Sequence, residues 1–105
     1  MGYSMEIILI QQINLKNIDN GFKQIQKKFN SNIIPHKGDY ISDMVWKETD
    51  EYEVIKVIIN YQEDYVHVWL QPINLETNDK SYLEQYVKMT KFHRWQCDFL
   101  FIENS

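Results

Sequence analysis

The sequence predicts an α+β fold, an antiparallel sheet of about five strands packed with two helices, in the order β-α-β-β-β-α-β. Three observations predict it. Apolar residues recur at helical spacing near 15–29 and near 79–92. Between these, three strand-like runs are separated by short charged turns. Apolar runs rich in β-branched or aromatic residues open and close the chain. A length of 105 residues, 44% hydrophobic and 14% aromatic, suits one domain spanning 1–105 with its own core.

Residues 5–11, MEIILIQ, are too few and too β-branched for a helix and read as a strand buried on both faces. Asn14 then offers an N-cap. Leu15, Ile18, Phe22, Ile25 and Phe29 follow at spacings of three and four, which puts them on one helical stripe with Lys16, Lys23, Gln26 and Lys27 outward. Gly21 costs such a helix about 1 kcal/mol relative to Ala. Pro35 and the Gly38–Asp39 pair then lead into a strand over 40–47. The stretch 34–41, IPHKGDYI, resembles the P-x-x-G-D-x-[IV] entry strand of small β-barrel modules, toxin-like and SH3-like barrels among them. That resemblance spans eight residues, implies a turn into a strand, and brings no functional residue with it.

Strands over 52–60 and 65–71 follow, joined by KETDEY and YQED, and Pro72 stops the last because it lacks the ladder N–H. Neighbouring strands with short connections make an antiparallel meander. Within 54–60, Val54 and Ile58 occupy one side and Ile55, Val57 and Ile59 the other. This predicts a central strand covered on both faces, with the Lys56 stem snorkelling outward. Ser81-x-x-Glu84 fits a capping box, and Leu83, Val87 and Thr90 form the apolar side of a second helix near 79–92. The tail WQCDFLFIE alternates as a final strand.

Cys97 is the only cysteine, so no intrachain disulfide forms and no C-x-x-C zinc motif exists. His36, His67 and His93 carry no recognised ligand spacing, and no phosphate-binding or nucleophile-elbow motif occurs. The expectation is no metal and no cofactor. The N-terminus lacks a basic region before its apolar stretch, and no apolar run approaches membrane-span length. A cytoplasmic location without membrane insertion is therefore expected, with Met5 an alternative start.

The net charge of −4 is unevenly spread. Residues 39–78 hold nine acids against Lys47 and Lys56, a balance of 2 − 9 = −7, whereas 1–38 balance at 5 − 2 = +3. Such a middle third repels phosphates, which makes nucleic acid an unfavoured ligand, and attracts a basic protein. The same stretch carries aromatic residues at alternating positions. Tyr65, His67 and Trp69 share one side of their strand, and Trp46 and Tyr52 extend the set. The commoner arrangement lays a helix over such rings. The functional arrangement makes them a protein-binding face rimmed by Glu51, Glu63 and Asp64, as in an inhibitor, immunity-type or regulatory module. The competing function is a small enzyme or ligand-binding protein with a pocket around His67, His93 and Cys97. The apolar DFLFI strand also offers an edge for a homodimer.

Overall fold

The computed structural model describes residues 4–42 and 51–97. The strands are β1 (Met5–Asn14), β2 (Phe22–Ser31), β3 (Tyr40–Ser42), β4 (Glu51–Asn60), β5 (Tyr65–Leu70), β6 (Ile73–Asn74) and β7 (Gln96–Cys97). One helix, α1 (Lys80–Lys91), lies between β6 and β7. They form a seven-stranded sheet in the order β3-β4-β5-β1-β2-β7, with β6 pairing β1 beyond the end of β5. The fold is thus sheet-dominated and mostly antiparallel, with a single helix among the described residues. The expected five strands and two helices are both corrected.

The larger correction is the first helix. Its span holds a short 3-10 turn at Ile18–Asn20 and the ten-residue strand β2, which pairs antiparallel with the whole of β1 from Asn14↔Phe22 to Met5↔Ser31. The helical stripe was a coincidence of loop and strand positions. Leu15 and Ile25 enter the core, while Ile18, Phe22 and Phe29 remain 47%, 41% and 43% exposed. The physical reason is the backbone of β1, since a ten-residue buried strand presents a row of N–H and C=O groups that need a partner. The hairpin closes because Asn17 accepts a hydrogen bond from the Asp19 amide, Gly21 adopts φ 144°, and the Leu15 amide donates to the Gly21 carbonyl. A positive φ of that kind suits glycine.

β1 is the central strand, flanked by β2 and, in parallel, by β5 through Ile7↔Val66 and Leu9↔Val68. Met5, Ile7, Leu9, Ile13, Ile25, Val54, Val66, Val68 and Leu70 build the core with Leu83 and Val87 of α1 and Trp95. The role expected of 52–60 therefore belongs to β1. β4 lies one strand from the β3 edge, and its Ile55, Ile58 and Ile59 are exposed.

Pro72 interrupts the β5 side of the ladder as expected, and β6 resumes pairing at Ile13↔Ile73. In the gap, the Gln11 side chain donates to the Gln71 carbonyl at 2.8 Å. The helix start differs by two residues from the capping-box reading. Asp79 is the N-cap and accepts from both the amide and the hydroxyl of Ser81. Arg94, at φ 71°, turns the chain after the helix so that Trp95 drops into the core. The strands expected over 40–47 and at the tail are seen as Tyr40–Ser42 and Gln96–Cys97, and their remainders lie outside the described residues.

Candidate functional site

Strand register assigns side chains to the two sheet faces. Val66, Val68 and Leu70 join the core beneath α1, so the intervening Tyr65, His67 and Trp69 project from the opposite face. The helix expected over these rings packs on the other side of the sheet, because Leu83 and Val87 belong to the same cluster as Val66 and Val68. α1 therefore does not cover the aromatic row, whose β1 neighbours Ile8 and Ile10 are buried on the same face. All three rings are half-buried.

The row is continuous. The Tyr65 and His67 rings lie 4.8 Å apart and tilted, and Trp69 meets His67 edge-on at 5.6 Å and 81°. On β1 the neighbours are Glu6 beside Tyr65, Ile8 beside His67 and Ile10 beside Trp69. On β4 they are Asn60, Ile58 and Lys56 in the same order. Lys56 places its Nζ 4.9 Å from the Trp69 ring centroid, a cation–π contact. Apolar surface continues through exposed Ile58, and Tyr40 of β3 stands opposite Glu53 on the same side.

A β-bulge decides who faces whom. Val54 pairs with Leu70 but Lys56 pairs with Trp69, so β4 carries one extra residue there. Beyond the bulge Val57 turns to the core, while Lys56 and Ile58 join the aromatic face. Simple alternation predicts Val54 and Ile58 on one side, and the bulge separates them. Tyr52 lies before the bulge and packs against the core cluster, so it does not extend the aromatic row as the sequence predicts. Trp46 lies outside the described residues.

Carboxylates stand at both ends of the row. At the Tyr65 end are Glu63 and Asp64 of the β4–β5 turn, and the Asp64 carbonyl accepts from the Glu6 amide at 3.0 Å. Asn60 accepts from the Glu63 amide and stabilises this turn. At the other end, Glu53 exchanges hydrogen bonds with Gln71, and Glu51 follows two residues away on the same face. Among the described residues, Glu6, Glu51, Glu53 and Glu63 form no ion pair with a lysine, and His36 and Asp39 make an exposed contact at 3.8 Å.

Of the residues proposed for a catalytic pocket, Cys97 and His67 lie on opposite faces of the sheet. Cys97 pairs with Ile25 and packs against the core. His93 sits in the turn after α1. No cluster of His, Cys, Asp and Glu able to hold a metal occurs among the described residues. No helix among them is long and apolar enough to cross a membrane. Sequence reading missed Lys56, Ile58 and Glu6 as members of the aromatic face; the bulge hid the first two, and the parallel β1–β5 pairing hid the third. No protein-family model matches the chain, and neither a curated protein nor a solved structure matches it.

Proposed function

We propose that the protein is a non-catalytic, cytoplasmic binding module that engages a more basic protein through the open face of its sheet. One observation carries this reading. A row of three aromatic rings lies on the sheet face opposite α1, and Glu63 at one end and Glu51 and Glu53 at the other form no ion pair with a lysine among the described residues. Tyr and Trp contribute large contact area with little loss of rotamer freedom, and acidic groups at a rim steer and select a cationic partner.

Charge reversal tests the proposal. Glu51→Lys combined with Glu63→Lys is expected to weaken association with the co-purifying partner by at least about tenfold. It should also flatten the loss of binding with added salt. Association unchanged by both reversals overturns the reading. Self-association through the same face is the competing outcome, and light scattering at two concentrations distinguishes it by a concentration-dependent mass.

A further inference from the structure

We infer that the open face seats the cationic side chains of an extended arginine- or lysine-rich segment on its rings, and that Lys56 is an intramolecular competitor already occupying one of those seats. This rests on the docking reading above and names the chemistry of the partner's contact.

The seat is visible because it is filled. The Lys56 ammonium lies 4.9 Å from the Trp69 centroid, and no carboxylate of the described residues pairs with it. The register neighbours of Trp69 are Ile10 and Lys56, and along its own strand His67 and Gln71, so the ring itself draws the cation there. A ring face that holds an ammonium also accepts a guanidinium, which stacks on it as a plane and is more weakly hydrated. Tyr65 and His67 continue the platform, with Glu6 beside Tyr65 and Glu53 bonded to Gln71 beyond Trp69. The rings come from alternate residues of β5, with centroids 4.8 and 5.6 Å apart, and an extended partner segment likewise presents alternate side chains to one face. Carboxylates bracketing the row supply the complementary charge. Lys56 opposes such a partner twice, by blocking the Trp69 ring and by adding positive charge to the face.

The experiment measures binding of a fluorescent nona-arginine peptide to the full chain by anisotropy, comparing Lys56→Met with Lys88→Met. Both variants change net charge equally, but Lys88 is exposed on α1, which packs on the opposite side of the sheet. Lys56→Met is expected to bind roughly two- to fivefold more tightly than Lys88→Met. That gain should shrink with Trp69→Phe and vanish with Trp69→Leu. Equal gains in the two lysine variants, or a gain that survives Trp69→Leu, overturn the inference and leave the docking reading standing. Absence of peptide binding by every variant, wild type included, overturns both.

Discussion

Gln11 and Gln71 join two strands where proline has broken their ladder. The buried Gln11 amide, 1% exposed, donates to the Gln71 carbonyl at 2.8 Å, immediately before Pro72. Gln11→Ala leaves that carbonyl without its partner and opens space beside the core. Equilibrium urea unfolding is expected to show a loss of about 1–3 kcal/mol.

Ile25 separates the strand from the helix that spacing suggested. It is fully buried, whereas Ile18, Phe22 and Phe29 are exposed. Ile25→Ala is expected to cost about 2–5 kcal/mol. Ile18→Ala should stay near about 0.5 kcal/mol, as surface changes do. Equal, large losses at both positions would restore the single apolar stripe of a helix and remove the hairpin.

Asp79 makes the start of α1 sensitive to acid. Hydrogen bonds from the Ser81 hydroxyl, and then from the Ser81 amide, hold its carboxyl below the usual carboxylate range. A depressed carboxyl stabilises the fold at pH values above its unfolded pKa, and that contribution disappears as pH falls through the lower folded value. Asp79→Ala is expected to lower the thermal midpoint at neutral pH. Wild type and variant should converge in strong acid, as thermal melts across pH will show.

Arg94 holds a left-handed backbone, φ 71°, at the exit of the helix. A side chain there costs about 1 kcal/mol that glycine does not incur. Arg94→Gly is expected to recover much of this in chemical denaturation. A destabilised variant would mean that the arginine side chain contributes more than its backbone costs.

Cys97 is half-buried and packs against the core. A thiol reagent is therefore expected to label the native protein at least about tenfold more slowly than the urea-unfolded chain. Fast labelling of the native protein would favour the competing function, a small enzyme or ligand-binding protein with a pocket that includes Cys97.

Local chemistry was enough to place β1, the β4–β5 hairpin, the break at Pro72 and α1, because period-two and period-3.6 patterns, charged turns and a missing N–H act within a few residues. It also identified Tyr65, His67 and Trp69 as one side of a strand. It could not decide that Phe22–Ser31 is a strand, since that choice follows from the backbone partners β1 requires and not from the side chains of the segment itself. Nor could it choose the face α1 would cover, because both sides of β5 carry apolar surface. The tertiary structure decided that by packing Leu83 and Val87 against Val66 and Val68. One extra residue in β4 then moved Lys56 onto the ring of Trp69, a long-range consequence of register that no pattern within the strand encodes.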